Sequence, residues 1–187
     1  MTTAKKTCCE LKCIDCFADM DFPKLMEIYY ESNTDNVPFL FPECEDRDSG
    51  RLLVEKRFRE YLQEFFETRG NRYYVLTSGD QWIAAIRLFP VPDCPGSYYA
   101  EALETRPECR RQGYGRTLFR LLFESLSKDG DFEVTDSVSR KNEASLKLHL
   151  SCGFEVYQET SVCILNGYEN PNAYGMRFSS AAQRTIS

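Results

Sequence analysis

The stretch most able to do chemistry runs from Leu103 to Leu118, where an extended segment leads through a proline-containing turn into a basic loop and then a helix. Two glycines, Gly113 and Gly115, stand at the helix start and let the backbone come close to a ligand. The N–H groups of that helix end and the positive end of its dipole favour an anion such as a phosphate. Three arginines, Arg110, Arg111 and Arg116, add positive charge there in a chain whose net charge is −6.

Three phosphate-binding patterns compete for this loop. A P-loop requires Gly-x-x-x-x-Gly-Lys-Ser/Thr, but Gly115 is followed by Arg-Thr and the first glycine would fall at Arg110. A dinucleotide fingerprint requires a third glycine where Leu118 stands. The pattern Arg/Gln-x-x-Gly-x-Gly/Ala after a strand is satisfied by residues 110–115. The alternative is an ordinary strand–loop–helix corner with a solvated arginine cluster.

The loop pattern resembles the pyrophosphate loop of the GNAT superfamily of acyl-CoA-dependent N-acyltransferases. A second segment, Val134 to Phe154, resembles that family's second motif, because a strand is followed by Asn142-x-Ala144, then Leu148-His149, then Gly153-Phe154. The resemblance covers residues 73–178 and, more loosely, the N-terminal half. It implies an N-acetyltransferase that uses acetyl-CoA as cosubstrate and a primary amine as acceptor, without a metal.

The resemblance also implies which residues bind the acyl donor. The strand before the loop offers backbone groups to the pantetheine arm, the amides of residues 111–116 hold the pyrophosphate, and Asn142 hydrogen-bonds the arm or simply caps a helix. The donor-binding residues expected in this way are Leu103, Glu104, Thr105, Arg110, Arg111, Gln112, Gly113, Tyr114, Gly115, Arg116 and Asn142.

Catalysis by such an enzyme requires a base for the ammonium and an acid for the leaving thiolate. Family enzymes often place a carboxylate base on the strand before the loop, where Glu101 is the candidate and Glu104 the fallback on the opposite face. The family usually has a Tyr where this chain has His149, its single histidine, and an imidazolium near pKa ~6.5 can protonate a thiolate. Tyr114 and Tyr157 are further candidates for the acid, and His149→Phe is predicted to lower turnover while sparing donor affinity.

The elements that must position these residues follow the order β-α-α-β-β-β-α-β-α-β-β. This order predicts an α/β fold of the GNAT type, with a mixed, mostly antiparallel sheet of about six or seven strands, splayed at the CoA site and flanked by about four helices. The expected strands span residues 11–17, 73–77, 81–89, 98–105, 132–138, 154–163 and 173–178. The expected helices span residues 21–32, 51–68, 113–128 and a short segment after Asn142 in which Ala144, Leu148 and Leu150 face inward.

Length and composition predict one domain over residues 1–187, with residues 1–10 and 179–187 as flexible tails. The segment 33–50 is rich in turn formers and acidic residues. Within it, the carboxylates of the acidic loop from Glu43 to Asp48 either attract a cationic amine or are simply solvated. Residues 1–10 lack the apolar core of a secretory signal and no apolar run could cross a bilayer, which predicts a cytoplasmic protein with no membrane partner. The acidic net charge argues against a nucleic-acid partner.

The nine cysteines do not indicate a disulfide scaffold, since their number is odd and the chain is not short. Cys13-x-x-Cys16 lies in a segment expected to be extended, which disfavours zinc. A homodimer is left open. The alternative to an enzyme is a non-catalytic acyl-CoA-binding sensor, and a nucleotide-binding protein is a third reading.

Overall fold

The computed structural model describes residues 8–186, and the side chains through Gln183. Its strands are β1 Cys9–Ile14, β2 Arg72–Ser78, β3 Gln81–Pro90, β4 Ser97–Thr105, β5 Glu133–Ser139, β6 Glu155–Gln158, β7 Ser161–Val162, β8 Glu169–Asn170 and β9 Ala173–Ser179. Its α-helices are α1 Phe22–Ile28, α2 Tyr30–Asp35, α3 Val37–Leu40, α4 Arg47–Glu67, α5 Tyr114–Leu126, α6 Glu143–Ser151 and α7 Ser180–Ile186. No helix among the described residues is long and apolar enough to span a membrane.

One sheet holds seven of these strands, in the order β1-β2-β3-β4-β5-β9-β6, and β7 pairs with β8 separately. β4 and β5 are parallel, whereas β1–β2, β5–β9 and β6–β9 are antiparallel. A mixed α/β fold with a mostly antiparallel sheet, as the sequence predicts, is therefore confirmed. The chain's contacts group it into two compact units, one through Ala85 with Glu104–Tyr114 and the other Ile86–Leu103 with the chain from Gly115 onward.

The first unit packs aromatic rings between its helices and β2. Tyr29 meets the Phe58 ring edge-on at 5.3 Å, and Phe65 of α4 contacts Tyr73 of β2 at 6.2 Å. The Tyr73 hydroxyl donates to the Tyr29 hydroxyl at 2.7 Å, so these buried phenols satisfy each other. This packing fixes α1 and α2.

The second unit has its own aromatic core beneath α5. Leu118, Phe119, Leu122 and Leu126 recur at helical spacing and are buried, so α5 presents one apolar face. The Phe123 and Phe178 rings stack at 4.0 Å, joining α5 to β9. These contacts hold α5 against the sheet of this unit.

Three segments differ from the sequence-based expectation. The turn-rich region 33–50 contains the end of α2, all of α3 and the start of α4. Pro38 lies in the first turn of α3, where proline is tolerated. The Asp46 carboxylate caps α4 by accepting a hydrogen bond from Ser49 N at 2.9 Å. Residues 180–186 are helical rather than a tail, since the Ser180 hydroxyl accepts from Phe132 N at 2.9 Å. Cys9 and Glu10 belong to β1 and Cys8 directly precedes it, whereas residues 1–7 of the expected N-terminal tail lie outside the described residues.

Candidate active site

The loop before α5 contains two residues in the left-handed region, Arg111 with φ 61° and Gly113 with φ 83°. Residues 111–113 are exposed, and α5 begins immediately afterwards at Tyr114. Left-handed residues beside a helix N-terminus gather backbone N–H groups into a concavity that suits an anion. The residues present therefore fit the pyrophosphate of a coenzyme A donor.

The two glycines of the loop are needed for different reasons. A Cβ at Gly113 would meet nothing within 4 Å, so its positive φ is what requires glycine. A Cβ at Gly115 would lie 2.8 Å from Leu148 Cδ2, so Gly115 allows the start of α5 to pack on α6. The sequence predicted that both glycines let the backbone come close to a ligand. In the structure Gly115 faces a neighbouring helix, so its lack of a side chain serves helix packing.

The Arg110 side chain is held inside the protein's own ion pairs. Its guanidinium donates to Glu31 of α2, to Glu104 Oε1 at 3.1 Å and to the Thr105 carbonyl oxygen at 3.0 Å. Arg106 likewise pairs with Glu27 of α1 at 2.8 Å. These contacts anchor the loop, and they occupy the Thr105 carbonyl that was expected to pair with pantetheine.

Two other basic side chains near the loop remain exposed. Neither Arg111 nor Arg116 takes part in any ion pair recorded for residues 8–183. The Gln112 side chain instead donates back to the Glu108 carbonyl at 3.1 Å. Of the three arginines that the sequence places around the loop, Arg110 is thus neutralised by carboxylates and two carry charge toward solvent.

β4 and β5 part after a short parallel pairing. Their register runs from Ser97–Glu133 to Ala100–Asp136, whereas β4 continues to Thr105 and β5 to Ser139. Ala102 has φ 54°, an uncommon value for a residue with a Cβ, which interrupts the alternation of β4 just beyond this fork. The splayed strands that the resemblance implies are present.

A cleft of about 360 Å³ lies at this fork. Both strands line it, through Glu101 and Ala102 of β4 and Asp136 and Ser137 of β5. Its remaining lining residues are Arg87, Tyr99, Ser161, Cys163, Asn166, Tyr168 and Asn170. The interrupted alternation explains why Glu101 and its neighbour Ala102 both reach one cleft, which the sequence could not show.

Glu101 has the environment of a base in this cleft. Burial raises the pKa of its carboxyl group, Arg87 lowers it and the Asp136 charge raises it again. The Arg87–Glu101 ion pair is 3.4 Å long. A carboxylate with a raised pKa accepts a proton more readily near neutral pH, as a general base requires.

Glu104, the fallback base, has a different setting. Burial raises its pKa, but a hydrogen bond from Ser32 and the Arg110 guanidinium both lower it. Its carboxylate holds Arg110 in the loop anchor. Glu104 therefore anchors Arg110, and Glu101 is the carboxylate of the two that lines the cleft.

His149 lies behind the cleft and does not line it. Its side chain is 1% exposed and packs edge-on against Phe119 and Phe154 at 5.1 and 4.8 Å. Its Nε2 is 3.0 Å from Asp136 Oδ2, so the polar group that reaches the cleft from this direction is Asp136. Asp136 was not among the site residues predicted from the sequence, although a carboxylate within a strand of β formers is itself a signal of a paired or functional group.

The face of α6 that points inward differs from the predicted one. Ala144 and Leu150 are exposed and Leu148 is half-buried, whereas His149 is the buried residue of the helix. Asn142 caps α6 as predicted, because its Oδ1 accepts from Ser145 N at 3.0 Å. Gly153, with φ 90°, follows the helix end.

Two tyrosines could serve beside Glu101. Tyr99 lines the cleft. Burial raises the pKa of its hydroxyl, and the neighbouring Cys163 and Asp136 raise that pKa further. Tyr157, a candidate acid from the sequence, lies on β6, and burial raises the pKa of its hydroxyl as well. A phenol held protonated in this way can donate a proton.

The two cysteines of the Cys13-x-x-Cys16 motif have different surroundings. Cys13 lies in β1, while Cys16 has its sulfur 3.1 Å from Asp19 Oδ2. Asp15, Cys16 and Asp19 bring ligand atoms within 4.8 Å of one another on the surface. The nine cysteines are all free thiols.

Comparison with known structures finds the same architecture in several N-acetyltransferases. PaiA N-acetyltransferase from Thermoplasma acidophilum, solved with coenzyme A, is 14% identical, with a TM-score of 0.62 over 91% of this chain and 99% of that one. Spermidine N-acetyltransferase from Vibrio cholerae, solved with CoA and spermine, is 16% identical, with a TM-score of 0.61 over 92% and 96%. A ribosomal-protein alanine N-acetyltransferase from Escherichia coli is 19% identical, with a TM-score of 0.59 over 92% and 94%.

No curated protein sequence matches the chain. The model of the acetyltransferase (GNAT) family matches residues 24–154, which include the loop before α5, the fork between β4 and β5, and α6. This match spans most of the chain and agrees with the resemblance drawn from the two motifs. The protein therefore belongs to the GNAT family of acetyltransferases.

Proposed function

We propose that this protein transfers an acetyl group from acetyl-CoA directly to the primary amine of a small or cationic acceptor. The observation that carries the proposal is the fork of β4 and β5, where Glu101, with its raised pKa, lines a cleft beside two parted strands. The loop before α5 supplies N–H groups at a helix N-terminus for the pyrophosphate. Acetyl-CoA supplies an activated thioester when bound.

The base is needed because the acceptor arrives as an ammonium ion. An alkyl ammonium with a pKa of about 10.4 is neutral in only about one molecule in a few thousand at pH 7. Glu101 removes that proton, and the backbone of β4 beyond Ala100 stabilises the oxyanion of the acyl group. The leaving thiolate then takes a proton from a donor in the cleft.

The carboxyl groups of the cleft can accept hydrogen bonds from a cationic acceptor. Glu101 and Asp136 both line the cleft, together with Arg87. The aromatic side chain of Tyr168 lines it as well. The V. cholerae relative was solved with spermine, a polyamine, which supports this substrate class.

The proposal keeps the chain as a single domain acting in the cytoplasm, as its sequence suggests. It involves no metal, nucleic acid or membrane, and it leaves a homodimer open. The cleft holds about 360 Å³, which suits a small acceptor or one side chain of a larger one.

The alternative is a sensor that binds acyl-CoA without turnover. The observation that favours it is the complete burial of His149, the residue expected to be the acid. The observation against it is Glu101, a half-buried carboxylate held in the cleft with a raised pKa. One experiment separates the two functions.

That experiment combines a thermal-shift panel with a thiol-release assay. Acetyl-CoA at about 100 times its dissociation constant adds about 2.7 kcal/mol of stability, which raises Tm by roughly 5–11 °C, whereas ATP and NAD leave Tm unchanged. Release of free CoA thiol in the presence of polyamines, aminoglycosides or lysine peptides then identifies an enzyme. The matched variant Glu101→Gln keeps the acetyl-CoA shift and loses thiol release, while a sensor shows the shift without release in the wild type.

A further inference from the structure

Asp136 and His149 form a buried pair that no step proposed so far uses. Asp136 is 8% exposed and His149 is 0% exposed. Asp136 is the last residue of β5 paired with β4, so it stands at the fork itself. Its carboxylate both lines the cleft and contacts His149 Nε2 at 3.0 Å.

The hydrogen bonds of His149 place its protons. Its Nδ1 lies 2.8 Å from the Ser145 carbonyl oxygen, which can only accept, so Nδ1 carries a proton. Its Nε2 faces Asp136 Oδ2, and a short contact between an imidazole nitrogen and a carboxyl oxygen also requires a proton. The pair therefore holds two protons, either as imidazolium and carboxylate or as imidazole and carboxylic acid, and is neutral in both forms.

In the other neutral tautomer of His149, Nε2 carries the proton and Nδ1 carries none. The Ser145 hydroxyl, 3.3 Å from Nδ1, would then donate to it, and Nε2–H would donate to an ionised Asp136. This arrangement sets the lone pair of Nδ1 against the carbonyl oxygen at 2.8 Å, which is repulsive. The carbonyl contact is the shorter of the two, and it favours the doubly protonated pair.

We propose that His149 is a positioning residue that keeps a proton on the Asp136–His149 pair, which the cleft uses to protonate the leaving thiolate. The inference rests on the proposed function and deepens it, because it supplies the acid that His149 alone cannot be. His149 does not reach the cleft, so it acts through Asp136, whose carboxyl group does.

The protons balance over one turnover. Of the three protons on the ammonium nitrogen, one passes to Glu101 and then to solvent, and one stays on the amide nitrogen. The C–N bond forms as the C–S bond breaks, and the pair gives its proton to sulfur. The third ammonium proton then restores the pair.

Glu101 and Asp136 are close enough for each charge to affect the other. Both carboxyl groups line the same cleft. Removal of the ammonium proton by Glu101 and delivery of a proton from the pair therefore take place at neighbouring groups.

The test uses the fact that His149 is the only histidine of the chain, so its ring signals need no assignment. Nitrogen NMR of the wild-type protein at neutral pH is expected to show a protonated Nδ1. Ser145→Ala, which removes the hydroxyl and keeps the carbonyl, is expected to leave the ring unchanged. A bare Nδ1 in the wild type, or one that gains its proton only in Ser145→Ala, overturns the proposal.

A second arm measures turnover by thiol release. Asp136→Asn and His149→Gln are expected to lower kcat about a hundredfold while the acetyl-CoA thermal shift persists, because both keep a hydrogen bond and remove the stored proton. Glu143→Gln, which removes an exposed carboxylate from α6, is the matched control and keeps its kcat. Full turnover in His149→Gln overturns the proposal.

The two experiments distinguish failure of the proposed function from failure of the inference about the Asp136–His149 pair. If the wild-type protein binds acetyl-CoA and releases no thiol with any amine, the proposed function fails, and with it the catalytic use of the pair. The NMR arm still decides whether the pair holds its two protons. If the variants fail to fold, the wild-type ring spectrum decides alone.

Discussion

Replacing Arg87 by Met tests whether Glu101 is the base, because Arg87 is the cation that holds its pKa down. Two unit charges 3.4 Å apart attract by about 1.2 kcal/mol in a water-like dielectric, which corresponds to about one pKa unit. Glu101 is 36% exposed, so this solvent-screened value is the appropriate one. Removal of the cation therefore raises the pKa of Glu101 by about one unit.

The direction in which the pH dependence of activity moves follows from the role of the base. Glu101 works when ionised, so the rate falls as the pH drops through its pKa, and a higher pKa moves that fall to higher pH. The acid limb of the kcat/KM profile is therefore expected to move upward by about one unit in Arg87→Met. Wild type and variant are compared with the same amine, so the ionisation of the amine cancels.

Arg120→Met is the control, since Arg120 pairs with Glu124 on the exposed face of α5, 2.6 Å away. Its profile should overlay the wild type. An acid limb that stays in place or moves downward in Arg87→Met would show that Glu101 does not set it, and the assignment of the base would be withdrawn.

Two further substitutions test the loop and the helix cap. Gly113→Ala forces a Cβ onto a left-handed residue at a cost of about 1–2 kcal/mol, so we expect weaker acetyl-CoA binding by titration calorimetry; unchanged affinity would mean that the loop does not hold the donor. Asn142→Ala removes the side chain that accepts from Ser145 N and should lower the free energy of unfolding by about 1 kcal/mol in urea; a loss of donor affinity beyond that change would add a direct contact with the donor to its capping role.

The features that could be predicted from sequence are those set by neighbouring residues. The strand–loop–helix of residues 103–118 and the Asn142 cap each depend on a few consecutive residues, and the structure has them where expected. The pattern of apolar residues also predicted most strands to within a few positions, because alternation is local.

The features that were missed depend on contacts between distant parts of the chain. Arg110 is neutralised by Glu31, 79 residues away, so its charge looked available in the sequence. His149 turned inward in place of Leu150 because Asp136, 13 residues earlier, offers a buried partner. Ala102 carries no sequence signal for its positive φ, and that single residue decides which side chains share the cleft.

The anchors of the basic loop also have a mechanical consequence. Arg106 and Arg110 are four residues apart, and so are their partners Glu27 and Glu31, so the two ion pairs have the same spacing on both segments. A shift of the loop by one residue would break both ion pairs at once. We therefore expect salt that screens the two ion pairs to loosen residues 106–110 and the α1–α2 segment together.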